Sequence, residues 1–354
     1  MRKYLFIFLL LNFFLTGCVE QKIIDDINII SAVGYDAKEE GKVKGTVVIP
    51  VYKADQSISS ETFIAEAKVS KEINRQIQMK SADPLENGAI EVVLFGQDLA
   101  EKGVYEITDT FERDARIGAR LFLAVVDGTA DEILKKNIGN LGTGTHLNTL
   151  IEHNMRHREL PRSNLHLFMY SYYSRVRDPF LPYLKLEGNK VKVEGVALFD
   201  KDKAIDYLND KDMFFFKALM ENFRNGAYTY NVGDHLVTTY NITMKRQFDV
   251  NKAMTQPKVN VLIQLEAHIR EYTGKKLDPK IIDKARVAFE QDINKKTKEL
   301  LERFRDQHID PVGVGMHART QTRNFDEEKW NEVYQNATFH VSSKVLITET
   351  GVIE

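Results

Sequence analysis

Val259-Asn260-Val261-Leu262-Ile263-Gln264-Leu265-Glu266-Ala267-His268-Ile269-Arg270 keeps a period of two over its whole length. Its odd positions are Val, Val, Ile, Leu, Ala and Ile, and of the six even positions five are polar. Such alternation predicts a long strand with one wet face. Asp278-Pro279 follows, placing a side-chain acceptor at N-cap and a proline at N1, where no N–H is needed. Ile281, Ile282, Ala285, Phe289, Ile293, Leu300 and Phe304 then recur at helical spacing. A final alternating stretch, Ala337–Ile347, puts Phe339, Val341, Val345 and Ile347 on one side. Antiparallel strands paired with a long amphipathic helix predict an α+β domain over residues 255–354.

Upstream, the pattern is strand, helix, strand, helix. Strands are expected at 27–36 and 42–53 around Lys38-Glu39-Glu40-Gly41, a helix at 67–80, and a buried strand at Ile90–Phe95. Short helices suit Gln97–Lys102 and Val104–Arg113, and a strand suits Ala119–Val126. Thr129 with Glu132 three residues later reads as a capping box. Helices are expected at 146–158, 164–174 and 211–223, and a hairpin across Gly188-Asn189. The whole is read as multi-domain α+β with mixed and antiparallel sheets. An N-terminal α/β domain is expected over 18–190, a middle domain over 191–254 and the α+β domain last.

Arg2-Lys3, the apolar run from Tyr4 to Leu11, and Leu15-Thr16-Gly17-Cys18 read as a secretory signal over residues 1–17. Its end resembles a bacterial lipobox, which implies diacylglycerol on Cys18 as the first mature residue. Cys18 is the only cysteine of the 354 residues, so no disulfide and no cysteine-rich zinc site forms within the chain. No later stretch approaches membrane-spanning length, so the protein is expected to hang from a membrane on lipid. With 49 basic and 51 acidic residues, the total charge offers nothing to nucleic acid.

No G-x-S-x-G elbow, P-loop, H-E-x-x-H or G-x-G-x-x-G occurs. His153 and His157 share a helical face, but Arg156 and Arg158 oppose a cation there, so a solvated helix is the better reading. Gly142-Thr143-Gly144-Thr145-His146 reads as a loop with Thr145 as N-cap in preference to an anion site. Val312-Gly313-Val314-Gly315 reads as a turn. Arg156, Arg158, Arg162, Arg175 and Arg177 form a basic belt, either a solvated surface or a face for anionic lipid or an acidic partner. No catalytic residue, metal or cofactor is expected.

Several segments, in order, resemble the Ger(x)C family, the lipoprotein C subunits of nutrient germinant receptors. These are Ile23–Asp36 ending in Gly34-Tyr35-Asp36, Phe111-Glu112-Arg113-Asp114-Ala115-Arg116, Gly195-Val196-Ala197-Leu198-Phe199, and Asp310, Gly313, Gly315 and Trp330 before the last strand. Val19 stands where the family often has tryptophan, and the strand around Glu91 lacks a frequent histidine. The resemblance implies three α+β domains, no enzymatic activity, and a complex with two integral-membrane receptor subunits on the outer face of the spore inner membrane. It implies a part in germination through receptor assembly or signalling. The alternatives are a lipid-anchored solute-binding protein and a cell-envelope hydrolase.

Overall fold

The computed structural model describes residues 26–118 and 120–350. The expected signal and Cys18 lie outside the described residues. In chain order the elements are β1 (Asn28–Ile29), β2 (Ala32–Ala37), β3 (Val43–Tyr52), β4 (Ile58–Ala67), α1 (Ser70–Gln78), β5 (Leu85–Glu86), β6 (Val92–Gly96), α2 (Gln97–Lys102), α3 (Tyr105–Arg113) and β7 (Phe122–Val126). There follow α4 (Ala130–Leu134), α5 (Thr143–His157), α6 (Leu165–Tyr173), β8 (Phe180–Glu187), β9 (Lys190–Asp200), β10 (Lys203–Asn209) and α7 (Asp210–Met220). The last part holds β11 (Phe223–Val232), β12 (His235–Asn251), β13 (Lys258–Tyr272), α8 (Pro279–Asp306), α9 (Val314–Gln321), α10 (Glu327–Tyr334) and β14 (Thr338–Thr350). No helix among these residues is long and apolar enough to cross a membrane. The class is α+β, as expected.

An eight-stranded mixed sheet runs β10-β9-β8-β7-β6-β2-β3-β4. Its middle, β8-β7-β6-β2, is parallel, and both flanks are antiparallel hairpins. Helices cover both faces, which is why Val92–Phe95 and Gly195–Phe199 are continuously buried and do not alternate. The Gly-x-Asp motif explains one helix contact. A methyl on Gly34 would stand 2.6 Å from Leu134 Cδ1 and 2.8 Å from Ala130 Cβ, so the glycine lets α4 lie on β2. Two residues on, the buried Asp36 carboxylate accepts the N–H groups of Ala130 at 2.7 Å and Asp131 at 3.0 Å. It replaces the expected capping box: Thr129 is the N-cap residue but makes no side-chain cap bond. A carboxylate from a neighbouring strand reaches those orphan donors, a long-range solution that local spacing does not show.

The second sheet has the order β11-β12-β13-β14. Val259, Val261, Ile263, Leu265, Ala267 and Ile269 are buried, as the alternation requires. Asp278 caps α8, accepting from Lys280 N at 3.0 Å and Ile281 N at 2.9 Å. The stripe Ala285, Phe289, Ile293, Leu300 and Phe304 is buried. The last pair of strands departs from the antiparallel expectation: β13 and β14 are parallel, starting from Lys258 opposite Thr338. The 28 residues of α8 rise about 1.5 Å each and carry the chain back along the sheet, so β14 starts at the same end as β13.

The expected middle domain, 191–254, has no sheet of its own. Its β9 and β10 finish the large sheet, and its β11 and β12 begin the smaller one. The boundary at 190 falls inside the β8–β9 hairpin, whose strands pair from Phe180–Leu198 to Glu187–Lys190. Between the sheets lies α7, whose consecutive residues Met213–Leu219 are all buried because it is packed on several sides. Phe216 meets Phe180 of the large sheet at 5.2 Å and Phe304 of α8 at 5.8 Å, both edge-on. Phe214 stacks on Tyr228 at 4.8 Å, and Tyr230 stacks on Phe289 at 4.7 Å. One hydrophobic core therefore runs from one face of the large sheet into the smaller one.

Candidate functional site

Two polar regions lie where the sheets meet. The first is a buried joint. After α8, His308 takes a left-handed turn, with φ 61°, and brings Asp310 inside. The Asp310 carboxylate accepts N–H groups from Gly313 at 2.8 Å, Val314 at 2.9 Å and Gly315 at 2.8 Å, which caps α9. Gly313 has φ 78°, a conformation that favours glycine. A methyl on Gly315 would stand 2.5 Å from Trp330 Nε1 and 2.8 Å from Val176 Cβ. Across the joint Asp310 N donates to Asp178 Oδ2 at 2.7 Å, and Asp178 N donates to Asp310 O at 3.0 Å. The turn expected at Val312–Gly315 is thus a carboxylate-held lock between the loop before β8 and the loop before α9.

Burial pushes Asp310 up to about 7, against the pull of its three N–H donors. Burial also raises Asp178 and lowers Arg177, with the charge of Asp310 opposing the latter shift. His317, stacked on Phe248 at 4.4 Å, is pushed down to about 4 by burial and by the Arg246 and Arg177 cations. Burial lowers Arg246 to about 10. Both oxygens of Asp310 and Oδ2 of Asp178 are turned onto backbone donors, so the pair serves to hold backbone. Among the described residues no cluster of three or more His, Cys, Asp or Glu side chains could hold a metal ion. A second tie lies on α8, where Arg303 grips Asp206 of β10 with bonds of 2.8 and 2.6 Å.

The second region is an open cleft of about 920 Å³ between α5, the 158–164 segment, α7 and the β11–β12 ribbon. Phe122, Met155, Leu167, Phe223 and Met244 give it apolar surface, and cations from helices, loops and the smaller sheet line it. The buried Lys217 braces its wall. Its ammonium donates to the carbonyls of Met155 at 3.1 Å, in the last turn of α5, and of Arg158 at 2.5 Å and Leu160 at 3.2 Å just after it. Burial holds its pKa below the ordinary lysine value, with Glu221 opposing. At the cleft the β11–β12 register breaks between Phe223 and Gly226, and Asn225 has φ 64°.

The residues singled out from the sequence fall in different places. His153 and His157 are exposed, with ring centroids 5.2 Å apart. The Gly142–His146 segment starts α5 at Thr143, whose N–H donates to Ser60 Oγ at 3.0 Å. Thr145 lies inside that helix, so it is not the N-cap; its hydroxyl donates to Glu91 Oε1 at 2.7 Å. Asn148 Nδ2 donates to Glu91 Oε2 at 2.6 Å, so Glu91 ties α5 to the residues before β6. The arginine belt is no single surface. Arg156 and Arg162 line the cleft, Arg175 pairs with Glu328 at 2.9 Å, and Arg177 enters the joint. Sequence reasoning misses Lys217 and Asp178; a lone lysine within Phe214-Phe215-Phe216-Lys217-Ala218-Leu219 is the available signal.

The fold and the joint define an α+β protein built on an eight-stranded and a four-stranded sheet, whose sequence motifs serve packing. Residues 20–186 match the family described as "Spore germination protein N-terminal domain", and residues 194–351 match "Spore germination B3/ GerAC like, C-terminal". The chain belongs to this Ger(x)C family of spore germination proteins. It is 33% identical to spore germination protein GerQC of Bacillus cereus, over 98% of this chain and 99% of that one. It is 22% identical to the putative spore germination protein YfkR of Bacillus subtilis (strain 168), over 98% and 96% of the two chains. The crystal structure of the GerBC protein has the same fold, with a TM-score of 0.59 and 16% identity over 89% of this chain and 96% of that one.

Proposed function

We propose that the chain is the C subunit of a spore nutrient germinant receptor, anchored by diacylglycerol on Cys18 to the outer face of the spore inner membrane. In this reading it has no enzymatic activity and works through protein contacts, supporting assembly or signalling with two integral-membrane subunits. The observation that carries the reading is the match to spore germination proteins in both parts of the chain, from residue 20 to residue 351, directly after Cys18. The joint agrees with it, because the Asp310 carboxylate and Asp178 Oδ2 are engaged by backbone N–H groups and hold the two sheets' loops together. Cys18→Ala should leave spore formation intact and impair germination with one nutrient mixture in spores lacking redundant receptors. Normal germination with every nutrient tested would count against the reading. Hydrolysis of cell-wall material by the purified protein would overturn its non-enzymatic part.

A further inference from the structure

We propose that the cleft between the two sheets is a docking site for an acidic protein segment, extended and carrying apolar side chains between its carboxylates. The proposal rests on the reading above for the source of that segment, one of the integral-membrane subunits. Its first ground is charge. Arg120, Arg156, Arg162, Lys217, Arg224 and Lys245 line the cleft against only Glu152 and Glu221, in a chain whose formal net charge is −2. Arg156 pairs with Glu152 at 2.6 Å, while Arg162 and Lys217 share Glu221, each at 3.6 Å. Arg120, Arg224 and Lys245 have no carboxylate within 4.0 Å among the described residues. Like charges drawn from three separate elements into one cleft repel one another, and an anionic occupant relieves that repulsion.

The second ground is shape and floor. A bilayer surface is flat and reaches convex parts of a protein, whereas a concave cleft of about 920 Å³ is filled by something that protrudes. Phe122, Met155, Leu167, Phe223 and Met244 supply the apolar anchorage that a purely ionic ligand leaves unused. The third ground is position. Ala32, Val92 and Phe122 are in register across the parallel strands, so Arg120 and Phe122 lie at the end of the large sheet where β2 begins. The nine residues from Cys18 to Asp26 lead to that end and span at most about 30 Å. The cleft is therefore within reach of a segment rising from the membrane.

The test uses the full-length lipidated chain with Arg120→Glu, Arg224→Glu and Lys245→Glu combined. All three side chains are exposed and unpaired, so the fold does not depend on them. A control carries the same charge change on the outer face of α8, through Lys284→Glu, Lys295→Glu and Lys298→Glu. Two probes are offered: a fluorescent peptide of about twelve residues alternating Glu with Phe, and phosphatidylglycerol vesicles. The peptide should bind the wild type and the control, and lose about tenfold or more in affinity on the cleft variant and again at high salt. In spore membranes the cleft variant should co-isolate less of both membrane subunits than the control does. Equal peptide affinity for wild type and cleft variant overturns the proposal. So does binding of the vesicles alone, lost in the cleft variant, because the occupant is then lipid. If peptide binding behaves as expected but the wild type brings down no membrane subunit, the cleft stands and the receptor reading fails.

Discussion

At the joint, the Asp310 carboxylate holds three N–H donors and its own N–H is held by Asp178; in the cleft, Arg120, Arg224 and Lys245 have no carboxylate partner among the described residues. Both regions lie between the same two sheets, and both gather charged side chains. The Asp310 carboxylate is buried and both its oxygens accept backbone N–H groups, as an interior carboxylate requires. The cleft is open to water, so its unpaired cations are hydrated and cost little in stability. A carboxylate spent on backbone donors marks a part that holds the fold together. Exposed cations of a single sign without a counter-charge mark a part that waits for a partner.

That contrast makes the joint sensitive to substitution and the cleft tolerant of it. Asp310→Ala should have the largest effect, about 3–5 kcal/mol of lost stability by urea unfolding, because three buried donors lose their acceptor together. A loss under about 1 kcal/mol would mean that the loop re-pairs elsewhere. Gly315→Ala should cost about 1–3 kcal/mol, since its methyl meets Trp330 Nε1 at 2.5 Å and Val176 at 2.8 Å, and the Trp330 fluorescence should shift with it. His317 gives the pH dependence. Its folded pKa of about 4 lies below the ordinary 6.5, so its contribution is fully present above 6.5 and is lost as pH falls toward 4. His317→Phe keeps the ring on Phe248 and removes that titration. The melting temperature of the variant relative to wild type should therefore rise as pH falls from 6.5 to 4; a flat difference would mean the histidine is protonated in place. Smallest of all, the triple cleft variant should change stability by no more than about 0.5 kcal/mol per site. Comparable losses at cleft and joint would erase the distinction between them.

The sequence is most legible where local chemistry decides the structure. Asp278-Pro279 caps α8 as its residue types require, and Val259–Ile269 buries alternate side chains because a helix covers one face only. It is least legible where a distant residue intervenes. Thr129 and Glu132 have capping-box spacing, yet Asp36 supplies the cap from another strand. In β12 the buried residues are Val237, Thr239, Ile242, Met244, Phe248 and Val250, and the register breaks between Tyr240 and Thr243 shift their parity. A period of two is hidden there, and the extent of the strand cannot be read from its pattern. Asp310, Gly313, Gly315 and Trp330 are visible as a family pattern, but their purpose needs Asp178, 132 residues away. The cleft is visible only as half of an arginine belt, because Arg120, Arg224 and Lys245 come from other segments and share nothing in the linear order.

Hydrogen exchange on the full-length chain in membranes, with and without the two membrane subunits, separates a waiting cleft from a finished joint. New protection is expected at 120–122, 154–164, 222–225 and 243–245, with 308–316 already protected in the chain alone and unchanged by the partners. New protection at 308–316, or none along the cleft while the subunits are bound, would contradict that difference.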